Sequence, residues 1–475
     1  MDVEEFARRQ LSDGVPKDQI VQHLTGHLLR IKALSPEYAG AFARAVLEEV
    51  LNSRDLKGDF FSFEHSGVRM GEFGVGSRGT GDFFTHRQIA RIIGKTRASV
   101  GVDEMDDAGA VLLHPDHQEG NPGEVRHEVS GISNNAGRNK EPVTGQYIVC
   151  TVDGMHSRLS DFPFLAGFHV TRATLRDVYV MGAHPLMLFS DIHVADDGDV
   201  AKIFDYTAGI TVVGEALDVP LITGSTLRIG GDMVLGSRMT GCVGAVGVAD
   251  HLTARKETRA GDVILMTEGA GGGTIATAAI YSGFPEVVDA TINLHFLSAT
   301  EAIISSSVLP AIHSMTDVTN GGLRGDVYEM AETAGCRIII EEESVRSLVQ
   351  RDVARMLENL QIDYLGVSLD ALLVTAPADA VKDIIGLVTG TGVVIREIGR
   401  VEKGPSGSIL VKDGKEKDFT PGFRESAYTP VKKVVDSRLS DFGEMKGRVA
   451  FAAEAAIEKK NRVAEILKNR SHPRE

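Results

Sequence analysis

The sequence predicts an α/β (α+β) protein of two mixed units with helical extensions at both ends. Three observations carry this. From Tyr147 short apolar runs alternate with helical patterns, a second such series begins near residue 256, and both termini show the helical period with little strand signal. A length of 475 residues allows about three structural units at roughly 150 residues each. The expected boundaries are 1–65, 66–255, 256–420 and 421–475.

In chain order, Ser35-Pro36-Glu37 reads as a helix start, with Ser as N-cap and Pro in the first turn. Tyr38, Phe42, Val46 and Val50 then recur every four residues and are expected on one buried face. The stretch from Gly71 to Phe84 is dense in glycine and precedes a helical pattern through Ile89, Ile92 and Ile93. It reads equally as a linker or as a backbone cradle for phosphates. His114 to Gln146 has neither period and is rich in Asn, Gly and Pro, so it is expected to be a surface insertion. His114, Asp116, His117 and His127 within it are a weaker candidate metal set. In the first mixed unit YIVCTVDG, LMLFSDIHV and VPLITG are expected strands, and the segments around Arg176 and Tyr206 are expected helices. In the second, strands are expected at VILMT, CRIIIEE and ALLVTA, with VIREIGRVEKG and GSILVKDG as a final strand pair. The last fifty residues return to helix, with Val449, Ala453, Ile457 and Leu467 among many Lys and Glu.

Lys+Arg 50 against Asp+Glu 66 gives a net charge of −16, a field that repels a polyanion, so nucleic acid is not an expected partner. The first residues, MDVEEFARRQ, are charged where a signal peptide needs an apolar run, and no membrane span is expected. The three cysteines have no metal-ligand spacing. A cytoplasmic location is the expectation. Asp106-Asp107, Asp153, Asp177 and Asp317 stand at expected strand ends or helix turns. A carboxylate there suits a hard cation, and Mg²⁺ takes one or two carboxylates together with phosphate oxygens and waters. Each of them alone also fits a turn or cap aspartate.

The ordered segments MDDAGAV (Met105 to Val111), TVDGMH (Thr151 to His156), RDVYVMGAHP (Arg176 to Pro185), LITGSTLR (Leu221 to Arg228), AGDVILMTEGAGGG (Ala260 to Gly273) and TDVTNGGL (Thr316 to Leu323) resemble the PurM-like, or AIR synthetase-related, superfamily. This family includes AIR synthetase, selenophosphate synthetase, thiamine-monophosphate kinase and a hydrogenase maturation enzyme. The resemblance covers roughly residues 70 to 405 and is strongest to archaeal synthetase-related proteins. It implies a two-domain PurM-like fold whose first domain forms a dimeric β-barrel with a second copy, with ATP and Mg²⁺ as cofactors.

By the same resemblance Asp107, Asp153 and Asp177 would hold Mg²⁺, with Asp106 beside them. Gly74, Gly76, Gly79, Gly81 and Asp82 would fold over the nucleotide. Gly182, Thr226, Gly321 and Gly322 would complete its site, and Asp317 would be catalytic, on a loop facing an unidentified small-molecule or protein-borne substrate. The implied chemistry is ATP-dependent phosphorylation or activation of an amide, carbonyl or phosphate oxygen. Two departures matter. Ser225 stands where the family usually has an acidic residue, with Gly230-Gly231-Asp232 a possible compensation. The chain also lacks the cysteine features of selenophosphate synthesis and hydrogenase maturation. The alternatives are a nucleotide-binding assembly protein without turnover, or a thiamine-monophosphate kinase-like activity. A dinucleotide oxidoreductase, suggested by Gly271 to Ala276, lacks the expected second strand ending in an acidic residue.

Overall fold

The computed structural model describes residues 1–54, 63–75, 79–113, 145–319, 321–437 and 441–471. The candidate ligands His114, Asp116, His117 and His127, and Gly76, lie outside them.

Three helices, Val3–Ser12, Lys17–Ile31 and Pro36–Ser53, form the N-terminal unit around their own apolar core. Ser35 caps the third, its hydroxyl accepting from the Tyr38 N–H at 3.2 Å. The buried face of that helix is Ala39, Ala43, Val46, Leu47 and Val50, while Tyr38 is 58% exposed. A strict spacing of four drifts off a 3.6-residue helix, so only the second half of the expected stripe stays inside. The unit docks on the first mixed domain: Leu235 joins its core, the Met1 ammonium donates to Leu235 O at 2.7 Å, and Lys32 pairs with Asp196 and Asp197.

The first mixed domain has strands β1 (Gly109–Leu112), β2 (Tyr147–Gly154), β3 (His184–Val194), β4 (Leu221–Arg228) and β5 (Met239–Ala249). Their order is β1-β2-β5-β3-β4, antiparallel except for β3 and β4, which are joined through the helix Ala201–Ala216. Alternation turns Val149, Val243, Ala245, Leu188 and Ile192 onto the Ala201–Ala216 and Pro163–Val180 helices. The opposite face leaves Val111, Ile148, Val152 and Leu227 exposed.

The second sheet contains β6 (Val263–Thr267), β7 (Ser314–Asp317), β8 (Arg337–Glu341), β9 (Leu372–Ala376), β10 (Ile395–Glu402), β11 (Gly407–Lys412) and β12 (Lys415–Asp418). Their order is β12-β11-β8-β10-β6-β9-β7. The expected final pair, β10 with β11, is not a pair. β8 lies between them, antiparallel to β10 and parallel to β11, and β11 forms its hairpin with the short polar β12. Asp317, expected on a loop, is the last residue of β7 and fully buried.

The Pro163–Val180 helix is buried on nearly every side because it packs against β2 and β5 on one flank and against β7 and the helix His295–Ile304 on the other. One hydrophobic core therefore runs from the first sheet through this helix to Leu265, Met315, Leu372 and Val374. The apolar stretch 285–304 is long enough to cross a membrane, but it is broken into short helices, and Phe296, Leu297, Ala299 and Ile303 are buried in that same core. Arg172 and Arg176 on this helix are thereby held at the junction of the two domains, where they meet Asp370 and Asp317.

Candidate functional site

A cavity of about 730 Å³ opens at this junction, between the end of β2, the 163–180 helix, the start of the helix Gly273–Ser282 and the segments near residues 70–86 and 428–432. Asp153 and Asp177 line it. β2 carries Asp153 beside its last residue, and the helix presents Asp177, whose Oδ2 accepts from Thr151 Oγ1 at 3.1 Å. Burial, and then the neighbouring Asp153, Asp317 and Asp107, hold the Asp177 carboxyl well above the usual carboxylate range. Crowded hard oxygen donors of this kind suit a divalent cation, which would neutralise their mutual repulsion. Among the described residues no three His, Cys, Asp or Glu side chains converge as a ready metal site. The protein would thus supply two carboxylates, which is the share Mg²⁺ takes when phosphates and waters complete its shell.

Asp107 is oriented elsewhere. Its Oδ1 lies 2.5 Å from Arg255 Nη2 and its Oδ2 accepts from Thr316 Oγ1 at 2.6 Å. Arg255 also bonds Glu329 at 2.7 Å, and its backbone N–H donates to Asp106 at 2.8 Å. Burial pushes the Asp106 carboxyl up to about 7 despite Arg255. The Asp106-Asp107 pair is thus fixed to the second domain by a buried arginine, and neither residue lines the cavity.

Asp317 is also engaged: Arg176 Nε lies 3.0 Å from its Oδ2, while Arg176 Nη1 and Arg172 Nη2 both reach Asp370. Arg172 further donates to Thr291 O at 2.7 Å. The cavity wall includes Arg172, Arg176 and Thr319 but, among the described residues, not Asp317. Nor is Asp317 a helix cap. Gly321 holds the N-cap position of the Gly322–Ala334 helix, and the Thr319 N–H goes to Asp326 at 3.0 Å. Gly322 has φ +63°, and a Cβ there would lie 2.4 Å from Leu365 O. Glycine is required at that turn by the backbone itself.

The glycine-rich segment is partly helical, with turns at Met70–Phe73 and from Thr80. A Cβ on Gly79 would meet Phe423 O at 2.5 Å, so Gly79 allows close packing against the C-terminal segment, and one on Gly81 would meet Phe73 O at 1.9 Å, so Gly81 allows the stretch to pack on its own first turn. Gly74, at the end of the first turn, faces Arg424. Met70, Val75, Asp82 and His86 from the same stretch do border the cavity. Gly182 sits in the turn before β3 against His251 O, and Thr226 lies on the edge strand β4; neither lines the cavity. Asp232 pairs with Arg228, which also bonds Asp196 beside the N-terminal unit, so it does not replace the missing acidic residue.

The AIR synthase related protein N-terminal domain matches residues 136–249, and its C-terminal domain matches 259–412. Uncharacterized protein MJ1416 of Methanocaldococcus jannaschii is 47% identical over 99% of each chain. The chain belongs to the AIR synthase-related, PurM-like family. Carbamoyl dehydratase HypE of Rhodobacter capsulatus is 27% identical over 44% of this chain and 60% of its own. The solved structure of AaThiL (Aquifex aeolicus) complexed with AMPPCP and TMP shares the fold, at 16% identity, a TM-score of 0.52 and coverage of 75% of this chain and 98% of that one.

Within this AIR synthase-related frame, sequence reasoning missed the basic residues of the cavity. Arg172 and Arg176 are four residues apart on the helix that carries Asp177, a spacing visible in the sequence. Their partner Asp370 and the tail residue Lys432 come from distant segments and left no local signal. His156 and His169 line the same cavity. Burial, then Lys432 and Arg158, push His156 down to about 4, and its ring bonds Tyr428 OH at 2.7 Å and Thr277 Oγ1 at 3.1 Å.

Proposed function

We propose that the chain is a Mg-ATP-dependent enzyme that phosphorylates or activates an amide, carbonyl or phosphate oxygen on a small-molecule or protein-borne acceptor. In this reading it acts in the cytoplasm as a homodimer. The observation that carries the reading is the crowding of Asp153 and Asp177 on the wall of a junction cavity large enough for a nucleotide. The AMPPCP held by AaThiL supports the nucleotide part. Asp153 and Asp177 would hold the cation, which when bound neutralises charge developing on transferred phosphate.

The chain's own residues supply position. Arg176 is fixed between Asp317 and Asp370, so its guanidinium presents a preorganised charge to the cavity. Asp317 is accordingly a positioning residue acting through Arg176. The segments bearing Val75 and Tyr428 form part of the cavity wall. The exposed apolar face of the first sheet, Val111, Ile148, Val152 and Leu227, supports a second copy as its cover.

Calorimetry with ATP and Mg²⁺ tests the reading. Binding should appear with the metal and collapse on chelation, and Asp153→Asn and Asp177→Asn should each weaken it about tenfold or more, the loss of one charged ligand. No binding at millimolar nucleotide would refute the enzyme. A second reading, nucleotide binding without turnover, is favoured by Ser225 and Thr226 lying on β4 away from the cavity. Absence of ADP formation across a panel of acceptors, with binding intact, would select it.

A further inference from the structure

The cavity wall carries both signs of charge: Asp82, Asp153 and Asp177, and Arg158, Arg172, Arg176 and Lys432. Arg172 and Arg176 are balanced by Asp370 and Asp317. Arg158 and Lys432 are not: among the described residues neither has a carboxylate partner. Arg158 rests over the Tyr281 ring at 4.0 Å, with its Nε buried and unbonded, and Lys432 Nζ lies 4.1 Å from the Tyr428 ring centre. Both act on His156, which places two uncompensated cations around one ring.

The helix Gly273–Ser282 begins beside them. Its N-cap, Gly272, offers no side-chain acceptor, and Gly272, Gly273 and Thr274 line the cavity. A Cβ on Gly272 would fall 3.9 Å from Asp370 Oδ2 and 4.0 Å from His169 Nδ1, so the helix start brings the Arg172–Asp370 pair and His169 together. A Cβ on Gly273 would fall 3.4 Å from His156 Cβ and 3.6 Å from His169 Cβ, so the helix starts between the two histidines.

His169 gives an independent sign of a ligand. It is 6% exposed and lines the cavity. Thr291 Oγ1 donates to Val288 O at 2.7 Å, so toward His169 Nε2, at 3.4 Å, it is left to accept, and the proton of the neutral ring belongs on Nε2. Nδ1 then carries a lone pair and has no hydrogen-bond partner among the described residues. A buried polar atom without a partner is costly, and a ligand bearing an O–H or N–H would satisfy it.

We infer that this end of the cavity is a subsite for an oxyanion, phosphate or carboxylate, carried by the acceptor. Arg158 and Lys432 hold the charge, and His169 Nδ1 accepts a hydrogen bond from a neighbouring donor. Monohydrogen phosphate offers both features in one group. Lys432 lies beyond residue 412, where the family's C-terminal domain match ends, so one part of this recognition comes from outside the matched domains. The inference rests on reading the acidic residues as the nucleotide's share of the cavity.

The test is calorimetric titration of inorganic phosphate, and separately of acetate, into the full chain with and without saturating Mg-AMPPCP. Phosphate should bind beside the nucleotide analogue. Lys432→Gln and Arg158→Gln should each weaken it about tenfold, the scale of one charge-assisted hydrogen bond, while Mg-AMPPCP affinity stays within about twofold. Lys433→Gln, a neighbouring lysine that donates to Leu360 O, should change neither. Phosphate affinity equal in all variants, or competition between phosphate and Mg-AMPPCP, would overturn the subsite while leaving nucleotide binding standing. Variant-sensitive phosphate binding without any Mg-AMPPCP binding would uphold the subsite and remove the nucleotide reading. Acetate, which lacks a donor, should bind more weakly than phosphate; equal affinity removes His169 from the subsite.

Discussion

The Arg172, Arg176, Asp317 and Asp370 quartet makes a sharp energetic prediction, because two cations and two anions are almost fully buried at the domain junction. Arg176→Met removes the cation that faces Asp317, while Arg172 still holds Asp370. Removing one partner of a buried ion pair costs about 3–5 kcal/mol. Asp317→Asn is milder: Arg176 retains Asp370 and the amide can still accept, so the expected loss is about 1–3 kcal/mol. The double variant is neutral again, with Arg172 and Asp370 intact. It should therefore be less destabilised than the sum of the singles by about 2 kcal/mol or more. Urea unfolding of the four proteins at neutral pH reads this directly, since one core joins the two sheets through the 163–180 helix. Strict additivity, within about 0.5 kcal/mol, would show that Asp317 does not act through Arg176.

Two further outcomes follow from the same structure. Val152, 59% exposed on the open sheet face, should tolerate Glu with little loss of monomer stability, yet Val152→Glu should convert a dimer to a monomer by light scattering; a monomeric wild type at micromolar concentration refutes the dimer. His156, held down to about 4, binds fewer protons folded than unfolded between that value and about 6.5, so it makes stability fall as pH drops through the interval, by at most about 3 kcal/mol. Asp106 acts in the opposite sense over much of the same range, so the contribution is read as the difference between wild type and His156→Gln, whose stability relative to wild type should rise as pH drops from about 6.5 to about 4. Parallel curves would show that His156 is not neutral in the folded chain.

The legible parts of the fold were those that local chemistry decides. Ser35 and Pro36 start a helix, and the 163–180 helix ends before Gly182, because caps and breakers act within a few residues. The β10 and β11 expectation failed because adjacency in sequence says nothing about a third strand: β8, far earlier in the chain, inserts between them. Asp317 looked like a loop residue because MTD is too short and too polar to register as a strand, yet pairing with β9 makes it one.

The same distinction governs the site. Asp153 and Asp177 could be named because each ends or punctuates an element, and strand ends and helix turns are where polar groups meet a ligand. Asp106 and Asp107 share that local appearance but are taken by Arg255, whose identity as their partner depends on two domains closing together. Arg158 and Lys432 lie 274 positions apart and meet through His156. What sequence spacing shows is therefore the acidic residues of the cavity, each carried by a single element. What it hides are the basic side chains that meet across the junction, among them Lys432, which reaches the cavity from outside the matched family domains.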